Sequence, residues 1–221
     1  MDIAELKEIC YAKRDEAGAA KMEAYMRNQF SFLGIRAPER KQILKTFLEQ
    51  AELDDFGLTL AVELYQEPER EFQYLANDLL GRFAKKQDAD AILVYEKLIT
   101  MKSWWDTVDS LASSAVGKHF QKYPELIEVY NAKWLESDNI WLNRTTLIFQ
   151  LSYKEKTDAN LLFANCARLA GSDEFFIQKA IGWGLRQYAK VDPEAVRAFV
   201  EQQELAPLSK REALKHLNEL F

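Results

Sequence analysis

Two cysteines and two histidines are all this sequence offers to metal or redox chemistry, and they lie far apart, at Cys10, Cys166, His119 and His216. Neither thiol stands in a ligand or redox spacing, so a zinc site or a disulfide framework is not expected, and no metal or cofactor is predicted. His119 and His216 read as surface or satisfied helix residues. Eight glycines and five prolines, with no Asn-Gly turn between alternating apolar runs, argue against a β-rich chain. No stretch approaches the roughly 20 apolar residues of a membrane span. The opening residues carry Asp2, Glu5 and Glu8 instead of a basic region followed by an apolar run, so a soluble, cytoplasmic protein is expected. Phosphate-loop, dinucleotide and His-Glu-x-x-His motifs are missing, and no nucleophilic triad is apparent.

What remains is helical. The 221 residues are 48% apolar and 12% aromatic, enough for one domain with a continuous core, residues 1–221. Apolar residues recur at helical spacing, as in Leu60 and Leu64 or Leu75, Leu79, Leu80 and Phe83. Pro68, Pro124, Pro193 and Pro207 stand where helices begin. A longer period is also present: aromatic residues at 72, 105, 141 and 176 are spaced by 33, 36 and 35, and a further step reaches Arg211. Each segment opens on a helix-start signal: Pro68-Glu69, Ser103, Ser137-Asp138, Ser172-Asp173, and Ser209 with Glu212 as a capping box. Two helices per period predict an all-α, curved solenoid of HEAT-like helix pairs over 51–221, with 1–50 as a helical cap.

The formal net charge of −6 argues against a general affinity for polyanions, unless the charge is unevenly placed. It is uneven. Segments 52–67, 88–101, 124–138, 158–173 and 192–205, the first helix of each pair, together carry −14. Segments 68–86, 102–122, 139–157, 174–191 and 206–221, the second helices, carry +7, and residues 1–51 add +1. A solenoid sets these two series on opposite surfaces, so an acidic outer wall and a basic concave face are expected, and the basic face suits phosphates. The plainer reading is that such segregation only solubilises two surfaces.

Within the second helices one constellation points to chemistry. In Lys102-Ser103-Trp104-Trp105-Asp106-Thr107-Val108-Asp109, the i, i+4 spacing puts Trp105 and Asp109 on one helix face. Arg144 follows Asp109 by 35 residues and Trp183 follows Arg144 by 39, so the repeat would present Trp, Asp, Arg and Trp side by side. Gly182 and Gly184 flank Trp183 at a cost of about 1 kcal/mol each against alanine, which implies close approach of a helix or a ligand. Trp104, Trp134 and Trp141 read as core.

The segments Lys102–Ser110, Asn139–Gln150 and Phe175–Lys190, with Phe32-Leu33-Gly34-Ile35 near the start, resemble the AlkD-type DNA alkylation repair family. The resemblance implies a HEAT-like solenoid that hydrolyses the N-glycosidic bond of cationic N3- and N7-alkylated purines in duplex DNA, chiefly 7-alkylguanine and 3-alkyladenine. Carried over by position, Asp109 matches the catalytic aspartate. Trp105 and Trp183 match the tryptophans against the damaged nucleotide's sugar-phosphate, Arg144 the residue gripping the DNA backbone, and Tyr25 an N-terminal aromatic at the site. Lys179, Arg186 and Arg211 complete the expected DNA-binding set, and a monomer acting on alkylated double-stranded DNA is expected. A non-catalytic solenoid that binds DNA or a protein is the rival reading.

Overall fold

The computed structural model describes residues 2–53 and 55–215 and is all-α, with no strand among the described residues. Its contacts divide the chain between Lys102 and Ser103 into two compact units. No helix among the described residues is long and apolar enough to cross a membrane. His216 lies outside the described residues.

The first unit begins with three helices, α1 (Ile3–Ala12), α2 (Glu16–Tyr25) and α3 (Ala37–Leu48), within the segment read as a cap. A capping box starts α1: Asp2 Oδ1 accepts from the Glu5 amide at 3.0 Å, and the Asp2 amide donates to Glu5 Oε2 at 2.8 Å. The pairs continue with α4 (Leu58–Gln66), α5 (Arg70–Phe83) and α6 (Ala91–Ile99). On α5 the buried residues Phe72, Leu75, Ala76, Leu79 and Leu80 follow the i, i+3, i+4, i+7 stripe of a core-facing helix. Gly34 has φ of +89°, and a side chain there would begin 2.2 Å from the Asp15 carbonyl oxygen, which only glycine permits. The amides of Leu33, Gly34 and Ile35 donate to the buried Glu71 carboxylate at 2.9, 2.8 and 3.1 Å, pinning this loop to α5. That is the structural content of the Phe32-Leu33-Gly34-Ile35 segment.

The second unit holds the remaining pairs. It opens with one interrupted helix, α7 (Trp105–Ser110), a π-helical segment over Leu111–Val116, and α8 (Gly117–Lys122). There follow α9 (Glu125–Leu135) with α10 (Ile140–Ile148), α11 (Ala159–Arg168) with α12 (Phe175–Tyr188), and α13 (Pro193–Gln202) with α14 (Pro207–Leu214). The pairs thus fall on the periods expected, and α7, α10, α12 and α14 pack each on the next. Leu147, Ile148, Leu162, Cys166, Ile181, Leu185, Val196 and Val200 form the shared core. Trp134 is fully buried, and His119 is buried with its ring 4.9 Å from that of Tyr123.

Two sequence expectations shift. Trp104, not Trp105, occupies the repeat's aromatic position: its ring packs on Trp141 at 5.8 Å and Phe176 at 5.0 Å between centroids, and Trp141 meets Phe176 at 5.1 Å. Trp104 is the extended residue just before α7, half-buried against Trp141 and Phe176, which are themselves only partly buried, and Trp105 becomes the first residue of the helix. Ser209 is not a helix cap either. Pro207, whose φ is preset for a first helical position, starts α14 two residues earlier, and the Ser209 hydroxyl donates to the Gln178 carbonyl at 2.9 Å.

Candidate active site

Asp109 stands one turn after Trp105 on α7, and Arg144 reaches it from α10. The guanidinium grips the carboxylate with both arms: Nε donates to Oδ1 at 2.7 Å and Nη2 to Oδ2 at 2.8 Å. Its remaining arm, Nη1, donates to the Phe176 carbonyl on α12. One arginine therefore ties three successive second helices together. Arg144 is only 4% exposed. The residue expected to hold the DNA backbone is buried, and two arms of its fork are committed to Asp109 in a bidentate pair.

Helix α10 can bury this charge because it is enclosed over Leu142–Ile148 and every polar side chain along it is paired. Asn143 Nδ2 donates to the carbonyls of Trp134 at 2.7 Å and Ser137 at 3.0 Å, capping the end of α9. Thr145 and Thr146 bond back to the carbonyls of Trp141 and Asn143 at 2.8 and 2.7 Å. On the other side of the pair, the π-helical widening begins two residues after Asp109. The Ser113 hydroxyl donates to the Asp109 carbonyl at 2.7 Å. Gly117 allows the close approach there, since a Cβ would lie 2.3 Å from the Phe149 carbonyl oxygen, and the Tyr153 hydroxyl donates to the Gly117 carbonyl at 2.6 Å. Irregular turns of this kind re-aim side chains, and this one directly follows the carboxylate.

Burial holds the Asp109 carboxyl above its ordinary range, the Arg144 pair offsets only part of that rise, and neighbouring Asp106 adds to it. Both oxygens accept N–H bonds, a geometry that the ionised carboxylate satisfies. The side chain keeps 14% of its surface exposed. Each oxygen retains a lone pair beyond the one given to Arg144, so the carboxylate can still accept a further hydrogen bond.

Trp183 lies on α12 between two glycines whose purpose is visible. A Cβ on Gly184 would meet the Leu147 carbonyl oxygen at 2.7 Å, and one on Gly182 would meet Glu212 Cβ at 2.4 Å. The glycines let α12 press against α10 on one side and α14 on the other, holding the half-buried Trp183 at the centre of that contact. Lys179 and Arg186 occupy the same stretch of α12, but both meet Glu212: Lys179 Nζ lies 2.9 Å from Oε1 and Arg186 Nη1 2.6 Å from Oε2. Arg211 is exposed and forms no ion pair among the described residues. The +7 of the second helices already counts Glu212 and Asp109, but the cations these carboxylates hold, Lys179, Arg186 and Arg144, are each committed within the protein. Glu212, read from the sequence as the capping-box partner of Ser209, instead holds the two cations of α12. Its signal was a lone acid near Lys210, Arg211 and Lys215, one helix away from a glycine placed midway between two cations.

Tyr25 belongs to the first unit, at the end of α2, and is 71% exposed. It lines a cavity of about 340 Å³ with Lys21, Met22, Phe32, Arg40 and Tyr74. Among the described residues no three His, Cys, Asp or Glu side chains gather to hold a metal ion.

The model of the DNA alkylation repair enzyme family matches residues 6–217. The chain belongs to this family. A predicted DNA alkylation repair enzyme from Enterococcus faecalis is 36% identical, with a TM-score of 0.86 over 93% of this chain and 97% of the other. AlkD2 from Streptococcus mutans, at 20% identity, superposes with a TM-score of 0.61 over 89% of this chain and 96% of its own, a likeness of fold. No curated protein sequence matches significantly. Membership carries with it the HEAT-like helical repeat fold and a role in repairing alkylated DNA.

Proposed function

We propose that this enzyme is a DNA glycosylase that releases cationic N3- and N7-alkylated purines from duplex DNA, opening base excision repair as a cytoplasmic, nucleoid-bound monomer. The observation that carries the reading is the largely buried Asp109 carboxylate, fixed by Arg144 one turn from Trp105 with 14% of its side chain exposed. A surface that only bound phosphates would gain nothing from such an anion.

The chemistry asks little more. An N7- or N3-alkylated purine already bears the positive charge that makes it a good leaving group, so no general acid is needed, and no metal or cofactor. As the bond from C1′ to the base nitrogen breaks, its electron pair leaves with the base, which becomes neutral, and the deoxyribose takes on oxocarbenium character. Asp109 opposes that charge from a fixed position in a partly dehydrated site. It also orients the attacking water, whose oxygen bonds to C1′ while its proton passes to the carboxylate and then to solvent. Trp105 and Trp183 offer aromatic faces to the electron-poor sugar, worth about 0.5–2 kcal/mol for a cation over a ring. Arg144 acts as a positioning residue through Asp109. Lys179, Arg186, Arg211 and Tyr25 meet the DNA.

The test is release of free 7-methylguanine and 3-methyladenine from methylated duplex DNA, measured alongside binding of the same duplex unmodified. Release supports the reading. Binding without release would turn it into a non-catalytic DNA binder, and neither would turn it into a protein-binding solenoid.

A further inference from the structure

Lys179, Trp183 and Arg186 follow one another at i, i+4 and i+7 on α12, so the two cations border the tryptophan on one helical face. Between them lies not open solvent but a carboxylate. Glu212 comes from α14 and is seated over Gly182, where its Cβ occupies the space that any side chain at 182 would need. Its two oxygens divide between the cations, Oε1 to Lys179 at 2.9 Å and Oε2 to Arg186 at 2.6 Å. Only 14% of the Glu212 side chain is exposed, against 37% for Lys179 and 26% for Arg186. The anion therefore sits beneath two cations whose outer surfaces stay reachable. Lys179 and then Arg186 hold the Glu212 carboxyl below the ordinary glutamate range, so it remains charged.

The geometry points to Glu212 as a specificity residue: an internal anion that occupies Lys179 and Arg186 and limits their grip on the phosphates of undamaged DNA. The inference rests on duplex DNA being the ligand. A backbone phosphate arriving beside Trp183 must share the two cations with a carboxylate already bonded to both. The group then offers a net charge of one where two cations stand, and the phosphate approaches a like charge. Sequence-independent affinity falls accordingly, since each phosphate neutralised contributes to the salt-dependent part of binding. A repair protein that searches a large excess of normal duplex benefits from such trimming, because discrimination is a difference of affinities.

Anisotropy titrations of an unmodified duplex with the full-length protein, from about 50 to 200 mM salt, test this. Glu212→Gln, which keeps shape and removes charge, should bind several-fold tighter at about 50 mM, with a log–log salt slope steeper by about 0.9, the worth of one further counterion. Lys179→Met added to Glu212→Gln should cancel most of the gain. Glu212→Asp keeps the methylene over Gly182 and withdraws the carboxylate. It should shift affinity in the same direction by less, and serves in place of Glu212→Gln should that variant fail to fold. Unchanged or weaker binding with an unaltered slope in the folded variants would overturn the inference. Absence of wild-type binding at every salt concentration would instead overturn the DNA reading, so the two failures are distinguishable.

Discussion

Asp109 and Glu212 are both carboxylates gripped by an arginine within the same series of packed helices, yet their surroundings give them opposite parts. Arg144 is buried, and its fork is committed to Asp109 and the Phe176 carbonyl, so Asp109 is the more exposed partner and the arginine holds it. At Glu212 the arrangement is reversed. There the carboxylate lies deeper, seated on Gly182, and Lys179 and Arg186 keep the accessible surface. The partner nearer water is the one free to meet a ligand, and the buried partner orients it. Residue type alone does not say which is which.

Asp109→Asn should break the comparison most severely. It leaves the shape of the site and removes the charge that the proposed mechanism sets against the developing oxocarbenium, so release of 7-methylguanine should fall by about 10²–10⁴-fold while duplex binding stays within a few-fold. Single-turnover base release beside a binding titration measures both. Arg144→Ala comes next, as a loss of stability: it strands a buried carboxylate, at a cost of roughly 3–5 kcal/mol, read by chemical denaturation. Gly182→Ala sharpens the other half. Its Cβ would lie 2.4 Å from Glu212 Cβ and 2.9 Å from the Ser209 carbonyl oxygen. Even after the gain of about 1 kcal/mol in helix propensity, overpacking should leave a net loss of about 1–2 kcal/mol in the same assay.

The smallest effect concerns acid. Lys179, and after it Arg186, lowers the folded pKa of Glu212, so its ion pairs contribute stability above the unfolded glutamate value and lose it as pH falls through the lowered folded value. With both cations partly exposed, that contribution should stay under about 1 kcal/mol. The difference in melting temperature between wild type and Glu212→Gln should therefore be small at neutral pH and vanish in strong acid.

Much of this was legible beforehand because it depends on spacing. The 33- to 36-residue period placed α5, α7, α10 and α12, and the i, i+4 rule placed Trp105 above Asp109. Spacing also brought Arg144 next to Asp109. It did not say that the pair would close on itself, because the choice between a carboxylate and a DNA phosphate depends on burial, which no single segment carries. The placing of Trp105 in the repeat's aromatic position and the Ser209 cap failed for a local reason: each turned on one or two residues at a helix start, where an extended residue or a proline shifts the register. Glu212 was read as a capping-box partner of Ser209 because its actual partners lie on another helix, 26 and 33 residues away.

The acid limb of the excision rate tests the claim that Arg144 serves Asp109 more directly than any other measurement. The proposed mechanism requires the ionised carboxylate, and with burial holding its pKa up, the Arg144 bonds offset part of that rise. Arg144→Lys keeps a positive charge but loses the fork, so the rate should begin to fall at a higher pH on acidification than in the wild type. Superimposable profiles, with only weaker DNA binding in the variant, would contradict the account and return Arg144 to the DNA backbone.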